Sequence, residues 1–205
     1  MNRKRIHTTL YLIVMLLILL LPQGCGSKAE PAATGSAQKP QEVVVDIRTP
    51  VLGARRLEDG RLVGGSVRGG IGEKFTTVFF SYKVNKAEYA AIFEEVEPFQ
   101  NYTYLLVDVT LEGVFDKTMP MWTSDFVLRW ADDEFGYGYP IEKLANTQID
   151  DSFNLRLGDR VSGLLVYEVP ITDEKVEYSL SYLEYYADDV DGNTFFVVFD
   201  MAPIL

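Results

Sequence analysis

The stretch that decides the fold is residues 102–111, which read Tyr-Thr-Tyr-Leu-Leu-Val-Asp-Val-Thr-Leu. Val107, Val109 and Leu111 alternate with Asp108 and a threonine, so apolar and polar side chains fall on opposite sides of an extended chain. A period of two is the period of a β-strand. The stretch is therefore predicted to be a strand with one face in the core.

Other stretches are rich in aromatic and β-branched residues, which favour strands. They cover residues 75–84, 126–130, 161–169, 176–183 and 195–199. Turns rich in glycine and aspartate separate them, and Pro170, which has no N–H, is expected to end the third. Only residues 87–95 are compatible with a helix. Short strands at this spacing predict an all-β, antiparallel sandwich or barrel.

Cys25 is the only cysteine, and the segment before it reads as an export signal. Basic residues at 3–5 precede an apolar run at 10–21, and Gly24 stands directly before the thiol. This arrangement resembles the lipobox of bacterial lipoproteins, in which the cysteine is acylated with chains such as palmitate and becomes the first mature residue. The resemblance implies a lipoprotein signal peptide over 1–24 and a lipid anchor on the extracytoplasmic side of the cell membrane.

An uncleaved membrane anchor is the alternative interpretation of the apolar run. The run is shorter than the roughly 20 residues that a spanning helix needs, which favours lipidation. Residues 25–42 have no bulky apolar side chain and are predicted to be a flexible tether. Residues 43–70 are a glycine-rich lead-in that could contribute one edge strand, and residues 71–205 are expected to form the β-domain.

The charge and the histidine content exclude several classes of function. The chain carries 30 acidic and 19 basic residues, a net charge of −11. The predicted signal holds three basic residues and no acidic one, so the mature charge falls to −14. Such a surface repels nucleic acid. His7, the only histidine, lies in the signal, so the mature chain lacks the groups for a Ser-His-Asp triad, a Cys-His dyad or a zinc site built on imidazole or thiolate. We expect no cofactor.

Three motifs in order carry a family resemblance. They are Ile71-Gly72-Glu73, the strand at 105–111 and the segment 157–170, Leu-Gly-Asp-Arg-Val-Ser-Gly-Leu-Leu-Val-Tyr-Glu-Val-Pro. Together they resemble the DUF4352-type domain of Gram-positive lipoproteins, described as telokin-like or immunoglobulin-like. The resemblance implies an antiparallel immunoglobulin-like β-sandwich outside the cytoplasm and transfers no catalytic residue. Within the last motif, Gly163 indicates a bulge or a close approach of another backbone.

Tyrosines in two turn-rich segments are candidates for a binding surface: Tyr137, Tyr139, Tyr185 and Tyr186. Exposed tyrosines suit recognition because they present a large amphipathic area and lose little rotamer freedom. The alternative is that they belong to the core or to a sheet face.

Two acidic segments are candidates for other chemistry. Asp189, Asp191 and Asn193 alternate around a glycine, as in an incomplete calcium loop, although Asp-Gly between apolar runs is also a strong hairpin signal. Paired carboxylates that could serve a glycoside hydrolase are Asp132, Asp133, Asp150 and Asp151.

The sequence as a whole favours a non-enzymatic binding module that is tethered to the membrane. Its ligand would be a cell-surface protein or a small molecule, and nucleic acid is excluded as a partner. The alternative is a carboxylate-dependent hydrolase that acts on cell-wall glycan.

Overall fold

The computed structural model describes residues 48–131, 135–186, 188 and 190–204. The predicted signal peptide, Cys25 and the predicted tether lie outside these residues. Within these residues, the regular structure is all β apart from one turn of 3₁₀ helix at Thr123–Asp125. The strands are β1 Arg55–Arg56, β2 Leu62–Val63, β3 Ser66–Gly69, β4 Lys74–Thr76, β5 Phe80–Ala90, β6 Tyr102–Gly113, β7 Met119–Trp122, β8 Phe126–Arg129, β9 Tyr137–Gly138, β10 Ser152–Leu155, β11 Arg160–Pro170, β12 Val176–Tyr185 and β13 Asp191–Met201.

Two sheets form the body of the domain. The first has the order β11-β6-β5-β4 and is antiparallel throughout. The second has the order β3-β13-β12-β8-β9 and is antiparallel except for the parallel pair of β3 and β13 at one edge. Short ribbons of β1 with β2 and β7 with β10 complete the described part. The predicted antiparallel immunoglobulin-like β-sandwich is confirmed. No helix within the described ranges is both long and apolar enough to cross a membrane.

The core lies between the two sheets, where alternate residues of each long strand point inward. Val107, Val109 and Leu111 are buried, as the alternation of β6 predicted. Burying each such side chain contributes about 1.5–3 kcal/mol. Tyr167 of β11 joins the two sheets directly, because its hydroxyl donates a 3.0 Å hydrogen bond to the carbonyl of Phe126 on β8. The buried phenol is therefore paired, as a buried polar group must be.

The outer face of the four-stranded sheet carries a second, smaller cluster around Phe93, Tyr104 and Val166. Residues 147–149 run beside β11, where the N–H of Leu164 donates to the carbonyl of Thr147 at 2.9 Å. A Cβ on Gly163 would lie only 2.9 Å from that same carbonyl oxygen. The close backbone approach predicted at Gly163 is confirmed.

Two predicted elements have different boundaries in the structure. Residues 75–84 form two strands, β4 and β5, because the Thr77 hydroxyl accepts hydrogen bonds from the N–H groups of Phe79 and Phe80 and closes a turn between them. The possible helix at 87–95 is wrong, since β5 continues through Ala90. A bulge between Val84 and Lys86 shifts its register against β6 and interrupts the alternation that marks a strand in the sequence.

The turn predicted at residues 191–193 is also displaced. β12 and β13 do form a hairpin, but Asp191 lies opposite Tyr185 and already belongs to β13. Because Asp191 is already paired, the chain reverses before the Asp-Gly pair. The register of the two strands also shifts between Leu183 and Tyr185. Before the sandwich, the described part of the lead-in contains β1, β2 and β3, and β3 supplies an edge strand.

Candidate ligand groove on the five-stranded sheet

The register between strands determines which side chains lie together on the outer face of the five-stranded sheet. Across the sheet, Phe196 of β13 lies opposite Ser181 of β12, which lies opposite Val127 of β8. In the next row, Ser179 lies opposite Arg129, and Arg129 lies opposite the edge strand β9. The residues between these positions face the core, so alternation leaves this set toward solvent.

Three of the four predicted tyrosines meet on this face. Tyr137, Tyr139 and Tyr185 are 39%, 53% and 59% exposed, and all three line one open groove of about 690 Å³. The rings of Tyr137 and Tyr139 pack edge to face, with centroids 5.9 Å apart. We call this concave surface the tyrosine groove; its lining also includes Ser124, Asp125, Val127, Arg129, Ser181, Leu183, Thr194 and Phe196.

Two arginines lie over aromatic rings of the same face. The Cζ atom of Arg129 is 5.3 Å from the ring centroid of Tyr137, and the Cζ atom of Arg68 is 4.7 Å from that of Phe196. Cation–π attraction holds each guanidinium over its ring, and both arginines are exposed to solvent.

Asp125 supplies a carboxylate to the tyrosine groove, at the end of the 3₁₀ turn before β8. Its Oδ2 accepts a 3.1 Å hydrogen bond from the N–H of Trp122. Burial raises the pKa of Asp125, and the hydrogen bond from Trp122 partly offsets that increase. Rings, guanidinium groups and this carboxylate together suit a ligand that carries flat surfaces and polar groups.

Tyr186, the fourth predicted tyrosine, lies elsewhere. Its ring packs against Phe79, with centroids 5.8 Å apart, and the Cζ atom of Arg61 lies 4.8 Å from its centroid. Burial raises the pKa of its phenol. The structure therefore assigns Tyr186 to packing beside the core and not to the tyrosine groove.

The residues of the possible calcium loop do not converge in the described part of the chain. Asp189 lies outside that part, Asp191 is exposed on β13, and Asn193 is buried. The side-chain oxygen of Asn193 accepts from the N–H of Gly65 at 3.1 Å, and its amide nitrogen donates to Glu184 at 2.8 Å. Among the described residues, no three histidine, cysteine, aspartate or glutamate side chains cluster as metal ligands.

The candidate hydrolase carboxylates are only partly described. Asp132 and Asp133 lie outside the described residues. Asp150 forms an ion pair with the ammonium group of Lys143, and Asp151 accepts a 3.0 Å hydrogen bond from the N–H of Lys143. Both carboxylates are thus already engaged by one neighbouring residue.

Sequence reasoning missed the other contributors to the outer face. Arg129 and Phe196 follow buried residues in two predicted strands, so alternation alone could have placed both toward solvent. Arg68 had no such signal, because it reaches this face only through the parallel pairing of β3 with β13.

Comparison with known proteins gives weak similarities. No family model matches the chain, and no curated protein matches it. Among solved structures, ycdA of Bacillus subtilis, described provisionally as a lipoprotein, is 16% identical with a TM-score of 0.46, over 60% of this chain and 38% of its own. The yjhA protein of Bacillus subtilis is 21% identical with a TM-score of 0.43, over 62% of this chain and 98% of its own.

A third solved structure, an uncharacterized β-sandwich protein from Clostridium difficile, is 10% identical with a TM-score of 0.41, over 65% of this chain and 94% of its own. Similarity at this level carries no argument about the ligand of this chain.

Proposed function

We propose that this protein is a binding module, held on the extracytoplasmic face of the membrane by lipid at Cys25, that takes its ligand in the tyrosine groove. The observation that carries the proposal is the convergence of Tyr137, Tyr139 and Tyr185 on one concave and exposed face. Exposed aromatic side chains that cluster in a concavity are characteristic of recognition surfaces. The ligand is a cell-surface molecule, since the anchor holds the domain at the cell surface.

The chemistry of the predicted mature chain supports binding without turnover. It has no histidine, and its only thiol carries the lipid, so the common nucleophile–base pairs are missing from the sequence. The tyrosine groove offers Asp125 as its carboxylate among the described lining residues. Glycoside hydrolysis by the usual mechanism needs a pair of carboxyl groups.

The experiment that tests binding compares capture by three soluble proteins that begin after Cys25. The first is wild type, the second carries Tyr137→Ala, Tyr139→Ala and Tyr185→Ala, and the third carries Tyr102→Ala. Tyr102 is a matched control because it is 39% exposed, as Tyr137 is, and lies on the four-stranded sheet. The wild type and the control are expected to retain a component of the cell surface that the triple variant loses. Equal capture by all three proteins would contradict the proposal.

The anchor is tested separately with Cys25→Ala in the full chain. Lipid chains contribute about 0.8 kcal/mol per buried CH₂, and their loss should release the protein from the membrane. Detergent-phase partitioning of wild type and variant measures this. A variant that still partitions entirely into the detergent phase after the signal is removed would refute lipidation at Cys25.

A further inference from the structure

We infer that the outer face of the five-stranded sheet binds an anionic group, a carboxylate or a phosphate, between Arg68 and Arg129 and above Ser179. These residues line a pocket of about 420 Å³ that shares Arg129 and Phe196 with the tyrosine groove. We call it the arginine pocket. The inference rests on the proposed function, because the anion would be one part of the ligand in the tyrosine groove.

The two arginines are positioned before any ligand arrives. Each guanidinium already lies over a ring, Phe196 or Tyr137, so little rotamer freedom remains to be lost on binding. Neither one forms an ion pair with any carboxylate of the described residues. A planar guanidinium donates two parallel hydrogen bonds to a carboxylate or phosphate, which is the geometry that an anionic ligand needs.

The floor between the arginines carries an unpaired hydroxyl. The Oγ atom of Ser179 is buried and has no hydrogen-bond partner in the described structure. Ser181, two residues along the same face of β12, is different, since its hydroxyl donates to the carbonyl of Val127 at 3.0 Å. A buried hydroxyl without a partner costs about 1–3 kcal/mol, and the oxygen of an anion above Ser179 would accept its proton.

The pairing of the strands brings these groups to one place. Ser179 lies directly opposite Arg129 on the neighbouring strand, and Phe196, which holds Arg68, lies on the strand at the other side of β12. Neighbouring strands are about 4.8 Å apart, so the space between the two arginine-bearing positions spans only a few strand widths. Both arginines and Ser179 therefore line the same arginine pocket.

The arginine pocket is less acidic than the chain as a whole. The lining of the arginine pocket includes three basic residues, Arg68, Arg129 and Lys175, and two acidic residues, Glu174 and Glu177. The chain as a whole has a net charge of −11. Lys175 is engaged by Asp200, whose carboxylate lies 2.7 Å from its Nζ atom. The arginines are therefore the cations left for a ligand in this pocket.

The test titrates isotope-labelled protein that begins after Cys25 with inorganic phosphate and, separately, with citrate, at constant ionic strength. Amide chemical shifts are followed by NMR. We expect saturable shifts at Arg129, Ser179 and Phe196 with at least one probe, and a comparison of the two titrations tells phosphate from carboxylate preference. Arg68→Ala and Arg129→Ala should each weaken the response at least tenfold. Arg160→Ala, an exposed arginine on the four-stranded sheet, should leave it unchanged.

Ser179→Ala provides a second variant with no change in charge, and it should weaken binding severalfold. Shifts that fail to saturate with both probes, or that persist unchanged in both arginine variants, would overturn the inference. Glycerol is the neutral control and should cause no such shifts. If the triple tyrosine variant loses the cell-surface component while neither anion binds wild type, the proposed function stands and the anionic group is refuted.

Discussion

Glu184 is the residue on which the end of the hairpin between β12 and β13 depends. It is buried, yet its carboxylate is fully engaged. It accepts from the N–H of Val78 at 2.9 Å, from the N–H of Asn193 at 3.0 Å and from the side-chain amide of Asn193 at 2.8 Å. The side chain thus links the β4–β5 turn to the start of β13. A sequence pattern cannot reveal such a role, because the donors come from segments far apart in the chain.

Replacing Glu184 with alanine should destabilise the protein by about 3 kcal/mol or more, since it leaves several buried donors without an acceptor. Urea unfolding of Glu184→Ala and wild type measures the difference. Glu58→Ala, at an exposed site, is the control and should change the unfolding free energy by less than about 0.5 kcal/mol. Equal stability of the two variants would show that the buried network contributes little.

At the scale of elements, the packing of residues 147–149 against strand β11 requires a glycine at position 163. A Cβ at Gly163 would meet the Thr147 carbonyl oxygen at 2.9 Å and the Ile149 nitrogen at 3.1 Å, both of them backbone atoms. Gly163→Ala should therefore cost about 1–3 kcal/mol through displacement of residues 147–149.

Gly70→Ala is the matched control for Gly163→Ala. Its added Cβ would meet nothing closer than 3.8 Å, so we expect a change near zero. Thermal unfolding of both variants checks the pair, and a Gly163→Ala protein as stable as Gly70→Ala would disprove the close packing at β11.

The turn after β5 places two glutamates in a strained backbone conformation that other residues would adopt more easily. Glu94 and Glu95 both have positive φ, 51° and 63°, between Phe93 and Val96, which exchange two backbone hydrogen bonds. A turn of this kind favours Asn-Gly. Glu94→Asn with Glu95→Gly should stabilise the protein by about 1 kcal/mol, as measured by chemical denaturation. A double variant less stable than wild type would contradict this reading of the turn.

The strands could be predicted from the sequence where alternation is regular, and this explains the agreement for β6, β11 and β12. Prediction from alternation fails where the pairing between strands is irregular. The bulge between Val84 and Lys86 made the end of β5 resemble a weak helix. β3 could be expected only as a possible edge strand somewhere in residues 43–70, because its parallel partner, β13, comes more than a hundred residues later. The same limits apply to the candidate site. The exposed tyrosines could be predicted because they lie in turn-rich segments of the sequence. The contact of Arg68 with Phe196 could not, because it depends on the pairing of β3 with β13.

At the scale of the whole molecule, the core is rich in buried tyrosines. Burial raises the pKa of Tyr82, Tyr167, Tyr178 and Tyr182 far above the ordinary value near 10. Above about pH 10 the unfolded chain releases phenolic protons that the folded protein retains. The unfolded state is therefore favoured as pH rises, and stability falls by about 1.4 kcal/mol per pH unit for each such tyrosine.

The resulting expectation is a steep loss of stability between about pH 10 and 11, amounting to several kcal/mol. Urea unfolding at pH 8 and at increasing alkaline pH, with tyrosinate absorbance recorded in parallel, measures it. The buried tyrosines should ionise together with unfolding. Constant stability up to pH 11 would show that the phenols are not held protonated by the core.

The central claim is that ligand binds on the outer face of the five-stranded sheet. The most direct measurement places a photo-reactive phenylalanine analogue at Tyr139, in the tyrosine groove, or at Tyr102, on the other sheet, in the full-length protein on living cells. Tyr139 and Tyr102 are both exposed, at 53% and 39%, so both positions should tolerate the analogue. We expect illumination to link the protein to a cell-surface component from position 139 and not from position 102. Links from position 102 alone, or from neither position, would contradict the claim.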